Sequence, residues 1–279
     1  MQRNMMSNTS PSPIRPAVLV LAASRAGADD PVAQLKGTTH KCLAPIDGVV
    51  MLVRVVQAIL DANVMGKIYV SIESEDLLRT VPELAQWLDD STIQIAPVRG
   101  NLADSVLAAA KMMEPAFPMI ITTGDNALHT AEILQDFVGQ FLTMKGDAAA
   151  GFTTAETVIA EFPEVGLAYH RLKDGGYSSC NLYAFRSDKA LTAVRIFEGG
   201  GQFGKRPMRI IKAFGISPFI LYKFRLVTLD ELLQGIARKM GITADIIMLP
   251  YAYGPIDVDN ISFFEISERA LKERRMAEK

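Results

Sequence analysis

Several short runs in this chain gather residue types that handle phosphates and cations. Ser24–Lys41 follows an apolar run, carries Gly27 and Gly37 and ends in a lysine; its backbone N–H groups can face an anion. Lys41 stands just ahead of Leu43-Ala44-Pro45, where an ammonium can offset charge developing on a phosphate. Thr122-Thr123-Gly124-Asp125-Asn126 puts a carboxylate just past another apolar run. There Asp125 either holds a metal ion, with Gly124 letting a ligand approach the backbone, or caps the following helix. In Ile256-Asp257-Val258-Asp259-Asn260, Asp257 and Asp259 share one face of an extended segment, and they repel unless a cation lies between them. Magnesium suits one or two carboxylates plus phosphate oxygens, so Asp125 with one of the pair would make such a site.

Two further runs can face a second ligand. Gly204-Lys205-Arg206-Pro207-Met208-Arg209, with Lys212 one turn on, sets basic residues around a proline suited to a first helical turn, a seat for an anionic acceptor. Tyr177–Tyr183 reads as a strand in which Asn181, beside small residues, faces a ligand. Cys180 has no basic partner near it in sequence and reads as a buried structural thiol. His40, His129 and His170 show no ligand spacing, which speaks against a transition-metal site.

These residues must be carried by a scaffold, and the apolar pattern describes one. Ala17–Ala23 is a continuous apolar run suited to a strand buried on both faces. Helical spacing follows over Val49–Asn63, then a strand at Lys67–Ile72, a helix at Glu75–Leu88, a strand at Thr92–Ala96, a helix at Leu102–Met113 and a strand at Met119–Thr122. This alternation predicts an α/β fold with a doubly wound, mostly parallel sheet, whose ligands bind at the carboxyl ends of the strands. Farther on, strands are expected at Ala148–Thr153, Gly166–Arg171, Tyr177–Phe185, Ala244–Leu249 and Ile256–Val258. Helices are expected at Leu191–Phe197, Met208–Phe214, Leu226–Met240 and from about Ser262. The expected organisation is a tail over 1–16, one domain over 17–271 with a smaller acceptor-side lobe at about 150–250, and a helix end over 272–279.

Composition excludes several classes. Of 279 residues, 49% are hydrophobic and 22% charged, ordinary for a globular protein, and the net charge of -2 gives no global basic field for nucleic acid. The apolar runs are too short to span a bilayer. With only Cys42 and Cys180 and no CxxC, a reducing, cytoplasmic setting is expected. The polar first sixteen residues lack the apolar core of a signal peptide.

Taken in order, Leu21-Ala-Ala-Ser-Arg-Ala-Gly27, Lys41-Cys-Leu-Ala-Pro-Ile-Asp-Gly48, Thr123-Gly-Asp-Asn126, Asn181-Leu-Tyr183 and Ile256-Asp-Val-Asp-Asn260 form a pattern over roughly residues 17–271. It resembles the nucleotidyltransferases related to molybdenum-cofactor guanylyltransferase and to sugar- and polyol-phosphate nucleotidylyltransferases. The resemblance implies a Rossmann-like sheet and Mg²⁺-dependent attack of an acceptor phosphate on the α-phosphate of an NTP, releasing pyrophosphate.

Carried onto this chain, Ala22, Ala23, Ser24, Arg25, Ala26 and Gly27 would cradle the triphosphate, with Thr123 and Gly124 beside it. Lys41 and Asp125 would be catalytic, and Arg99, Gly100 and Asn101 would meet the base. Asp125 with Asp257 or Asp259 would hold magnesium. Asn126, Asn181, Lys205, Arg206 and Arg209 would face the acceptor, a small phosphorylated sugar, polyol or hydroxy acid. CTP is the expected donor by analogy with the polyol-phosphate branch, and GTP the alternative. The family loop reads Leu-Ala-Ala-Gly-x-Gly-x-Arg, whereas Ser24 and Ala26 replace its glycines here and Arg25 lies earlier than the usual arginine. That departure keeps a second alternative open, a nucleotide-binding or scaffold protein without turnover. A glycosyltransferase on a similar sheet would be expected to carry a mid-chain Asp-x-Asp instead.

Overall fold

The structure, a computed structural model, describes residues 14–24, 26–167, 169–198 and 216–277. Arg25 and the Gly204–Arg209 cluster, with its expected helix over Met208–Phe214, lie outside the described residues, as do the first thirteen residues.

The core is one large sheet. Strands β1 (Ala17–Leu21), β4 (Ile68–Ser71), β5 (Ile93–Ala96) and β6 (Met119–Thr123) run parallel in the order β5-β4-β1-β6. β9 (Gly175–Phe185) lies antiparallel to β6 and to β7 (Ala148–Thr154), and β10 (Ala244–Met248) closes that side parallel to β7. A short β8 (His170–Leu172) pairs only with β9. Val18, Leu19 and Val20 are fully buried, which explains why β1 reads as an unbroken apolar run.

Helices cover both faces. On one, α2 (Met51–Ala62), α3 (Glu75–Arg79), α4 (Pro82–Asp89) and α6 (Ala131–Thr143) pack Leu52, Val56, Leu78, Leu84 and Phe137 into one cluster. On the other, α5 (Leu102–Met112), α8 (Asp188–Leu191) and a later helix (Leu229–Lys239) pack Val106, Ala190 and Ala237. A third cluster sits at the strand ends. It joins α1 (Pro31–Lys36), α7 (Ala155–Glu161) and the C-terminal helix (Ile261–Ala277) through Val32, Val158, Phe264, Ile256 and Val258. This is the Rossmann-like, mostly parallel α/β arrangement expected from sequence.

The departures have local causes. The expected Glu75–Leu88 helix is two helices, because Pro82 at the first turn of α4 cannot donate to the preceding helix. The Ser24–His40 loop contains α1, with Pro31 at its start, the Asp30 carboxylate accepting from Val32 and Ala33 N–H, and left-handed Gly37 at its end. Of the described residues of Gly166–Arg171 only the last two join a strand. Leu191–Phe197 is 3₁₀ rather than α-helix over Thr192–Phe197. Ile256–Val258 pairs with no strand; the Val258 N–H donates instead to the Asp125 carbonyl at 3.1 Å, and the Asp259 N–H turns back to the Asp257 carbonyl at 2.9 Å. Helices α6, α7 and Ile216–Lys223 are additions to the expected set.

Arg186, just past β9, ties the sheet to the end of α6. Its guanidinium donates to the carbonyls of Phe141 (2.5 Å), Met144 (2.6 Å) and Gly146 (2.8 Å) and lies 4.3 Å from the centre of the Phe141 ring. Phe141 and Met144 belong to the C-terminus of α6, whose last carbonyls need outside donors, and Gly146 lies just past it. Arg186→Met should therefore lower stability by about 2–3 kcal/mol. A urea unfolding midpoint equal to that of the wild type would refute this capping role.

Candidate functional site

Because β1, β4, β5 and β6 are parallel, their carboxyl ends meet at one edge; Leu21 aligns with both Ser71 and Thr123, and Ser71 with Ala96. The chain leaves β1 toward β4 on one side and β6 on the other, so the crevice between β1 and β6 is a switch point where loops part. A cleft of about 580 Å³ opens there. Its wall includes Ala22, Ala23, Ser24 and Ala26, then Lys41, then Arg99, Gly100 and Asn101, and finally Thr123, Asp125 and Asp259.

Lys41 reaches the crevice from a 3₁₀ turn (Lys41–Leu43) that packs under the first loop, where the Cys42 thiol donates to the Ala22 carbonyl at 3.2 Å. Gly124 makes this possible. A Cβ there would lie 3.3 Å from Ala22 Cβ, from Cys42 Cβ and from Leu52 Cδ1. The glycine therefore admits the Lys41 turn rather than a ligand, which corrects the expectation that it lines the ligand side. After the turn, β2 (Pro45–Ile46) and β3 (Val49–Val50) form a tight hairpin whose central residues, Asp47 (φ 44°) and Gly48 (φ 78°), are both left-handed. Arg275 of the C-terminal helix grips Asp47 with two hydrogen bonds, at 3.0 and 2.9 Å.

The Lys41 ammonium lies 2.6 Å from Asp125 Oδ2 and 2.9 Å from Asp259 Oδ1. Burial alone would depress its pKa, but the two carboxylates outweigh burial and hold it above the ordinary lysine value. Burial likewise works to raise Asp125, and the charge and hydrogen bond of Lys41 overcome it, with help from the Thr123 hydroxyl donating at 2.5 Å. Asp257 has no such ammonium contact. Burial first, then the Asp125 and Asp259 charges, push its carboxyl up to about 7, against a hydrogen bond from Asn181 Nδ2 at 3.2 Å. Ile256 and Val258, fully buried on either side of Asp257, hold the loop in place; each contributes roughly 2 kcal/mol through apolar burial, enough to keep mutually repelling carboxylates together.

Oxygen atoms of Asp125, Asp257 and Asp259 all lie within 4.8 Å of one another. Hard carboxylate oxygens from three residues fit Mg²⁺, whereas the described residues offer no nitrogen or sulfur donor to this cluster. The sequence left open which aspartate joins Asp125, and the structure brings both.

Other expectations fare differently. Asn126 is completely buried, with its oxygen engaged by the Thr123 hydroxyl and its Nδ2 without a partner, so it faces the interior rather than an acceptor. Asn101 borders the cleft, but its side chain caps α5 through Asp104. Arg99 folds back to donate to the Val98 carbonyl at 2.9 Å. Gly27, left-handed at φ 54°, donates its N–H to Ser24 Oγ at 2.9 Å. Asn181, also left-handed at φ 52°, points across to Asp257. Cys42 and Cys180 are free and buried, and burial pushes both thiols up to about 12, which leaves them inert. Sequence reasoning missed Glu73 and Ser105, and weighed His40 only as a metal ligand. Ser105 accepts from Arg99 N–H at 2.8 Å and shapes the Val98–Asn101 wall. Glu73 stands two residues past β4, so the rule that ligands gather at strand carboxyl ends could have singled it out.

A Rossmann-like sheet with a lysine and an acidic cluster at its switch point is the plan of a nucleotidyltransferase. The chain belongs to the MobA-like NTP transferase domain family, whose model matches residues 18–221. No curated protein matches it in sequence. Its fold is similar to that of a hypothetical transferase from Thermus thermophilus, with a TM-score of 0.70 and 22% identity over 90% of this chain and 100% of that one. It is also similar to a CMP:2-keto-3-deoxy-manno-octonic acid synthetase complexed with CTP, with a TM-score of 0.56 and 14% identity over 94% and 100% of the two chains. A third likeness is to 4-diphosphocytidyl-2C-methyl-D-erythritol synthase from Anaerococcus prevotii, with a TM-score of 0.56 and 11% identity over 92% and 96%. Among the described residues, no helix is long and apolar enough to cross a membrane.

Removing the ammonium would leave Asp125 largely buried beside two other carboxylates. Lys41→Met should cost about 3 kcal/mol of stability. Millimolar Mg²⁺ should restore more of the melting temperature of this variant than it adds to the wild type. Equal melting of the two proteins without metal would show that the ion pair is not the site's structural centre.

Proposed function

We propose that this protein transfers a nucleoside monophosphate from an NTP to the phosphate of a small phosphorylated sugar, polyol or hydroxy acid. CTP is placed ahead of GTP. The observation that carries the reading is the convergence of Lys41, Asp125 and Asp259 at the switch point, lining a cleft of nucleotide size. An oxygen of the acceptor phosphate attacks the α-phosphorus, and the bond from that phosphorus to the bridging oxygen breaks. The electron pair leaves with pyrophosphate. An ionised acceptor phosphate needs no general base, which agrees with a site free of an exposed histidine next to Asp125.

The chain's own residues supply position and charge. Lys41, held charged by its two aspartates, faces the place where negative charge grows on the α-phosphate. The first loop and the Val98–Asn101 turn form opposite walls for triphosphate and base. Asn181 and Asp257 mark the acceptor side, with Lys205, Arg206 and Arg209 as its anion partners by sequence. Mg²⁺, held by Asp125 with Asp257 and Asp259, would act as a Lewis acid on phosphate oxygens. The cleft's charge supports a cation requirement. Among its described lining residues stand Asp30, Glu73, Asp125, Glu198 and Asp259 against Lys41 and Arg99, carboxylates for which a cation is the natural partner.

CTP leads because two of the similar folds carry cytidine nucleotides in their names. One observation favours a second reading, binding without turnover: the Ser24 and Gly27 N–H groups are already satisfied within the protein. A single panel separates the two. Each of the four NTPs with magnesium is offered to phosphorylated sugars, polyols and glycerates, and pyrophosphate is measured. Turnover with at least one pair, reduced by about 10³-fold or more in Asp125→Ala, is the expected result. Near-normal turnover in that variant would discard the metal assignment, and NTP binding with no pyrophosphate across the panel would favour the second reading.

A further inference from the structure

The loop after β1 would be expected to offer free N–H groups to a phosphate, yet a side chain already occupies it. The Ser24 N–H donates to Glu73 Oε1 at 2.8 Å. The other oxygen of the same carboxylate, Oε2, lies 3.0 Å from His40 Nε2, so that nitrogen's proton is donated to it. His40 Nδ1 in turn sits 3.1 Å from the Thr39 hydroxyl. Glu73 thus bridges the phosphate loop and the residue next to Lys41, with its side chain only 35% exposed and facing the cleft.

A carboxylate resembles a phosphate in charge and in its acceptor oxygens, and here it makes the kind of contact a phosphate oxygen would make. Ser24 reinforces the arrangement. A glycine at this position would add no acceptor, whereas the Ser24 hydroxyl takes the Gly27 N–H at 2.9 Å and closes the loop on itself. Any anion that approaches Ser24 meets a like charge at contact distance.

We propose that Glu73 is a specificity-determining residue that holds the seat of a phosphate and so excludes free anions, yielding only to a triphosphate accompanied by a divalent cation. The inference rests on the reading of this cleft as an NTP site. A metal-bound triphosphate arrives with much of its charge neutralised and brings further contacts from ribose and base, so it displaces the carboxylate; orthophosphate, pyrophosphate or metal-free tripolyphosphate does not. The device discriminates by a repulsive element rather than by an added attraction.

The test is calorimetric titration of the full chain with inorganic tripolyphosphate in the presence of EDTA, and separately with each NTP plus magnesium. Wild type, Glu73→Gln and Glu73→Ala are compared. Glutamine keeps the shape and one acceptor oxygen for the Ser24 N–H, so it removes the charge while leaving the loop contact available, although its amide nitrogen then faces His40; alanine opens the seat, and thermal melting checks that both variants fold. Tripolyphosphate should bind the variants about tenfold more tightly than the wild type, equivalent to about 1.4 kcal/mol. The magnesium–NTP complex should gain less. Equal or weaker tripolyphosphate binding by Glu73→Gln, with magnesium–NTP binding intact in the wild type, overturns the role of Glu73 and leaves the function standing. Failure of the wild type to bind any NTP overturns both.

Discussion

One ammonium holds this site together. Lys41 reaches across 218 residues of sequence to Asp259 and meets Asp125 on the way, closing two carboxylates that would otherwise repel. Everything around it serves that placement. The Asp47-Gly48 turn sets the hairpin after Lys41, Arg275 fastens that turn to the C-terminal helix, and the missing side chain at Gly124 leaves room for the Lys41 turn beneath β1. The third apolar cluster, built around Phe264, Ile256 and Val258, supplies the burial that keeps the carboxylates together. A buried ion pair is weak evidence for stability, since desolvation offsets most of its attraction. Its survival at a strand-edge crevice is better explained by chemistry than by folding.

The loop from Tyr251 to Asn260 shows how the fold delivers remote side chains without a sheet to guide them. His129, fully buried and held neutral because burial pushes it down to about 4, lies 3.0 Å through Nε2 from the Gly254 carbonyl. The Tyr253 hydroxyl meets Thr130 at 2.9 Å, and the Arg274 guanidinium lies 4.2 Å from the centre of the Tyr253 ring. Gly254 itself is closely packed, because a Cβ there would come within 2.9 Å of Cys180 Sγ. His129 and the structural thiol of Cys180 are thus parts of the clamp that aims Asp257 and Asp259.

Much of the scaffold was legible because buried parallel strands leave an unmistakable apolar signature. β1, β4, β5 and β6 each lie within two residues of their expected bounds. Lys41, Asp125 and the aspartate pair were legible because their types are costly at such positions unless a ligand or partner answers them. What escaped was relational. Ile133, Leu134, Phe137, Val138 and Phe141 do carry a helical stripe, but strand-rich surroundings drew attention away from α6. Gly124 declared itself as a glycine that something approaches closely, and only the fold shows that the approaching group is Cys42 rather than a ligand. Asn126 looked like a polar lining residue, yet a turn of one residue past Asp125 points it inward.

The exchange of loop glycines for Ser24 and Ala26 gains meaning only alongside Glu73. Taken alone, added side chains reduce backbone access and argue for a loop that has lost its grip on phosphate. In the structure the loss is organised: each N–H withheld from a ligand is given to an acceptor placed for it, Ser24 to Glu73 and Gly27 to Ser24. The resident Glu73 carboxylate on the loop adds to the described carboxylates of the cleft, for which a cation is the natural partner. The phosphate loop and the acidic cluster then act in one direction, since both make the cation brought by the nucleotide the condition for entry.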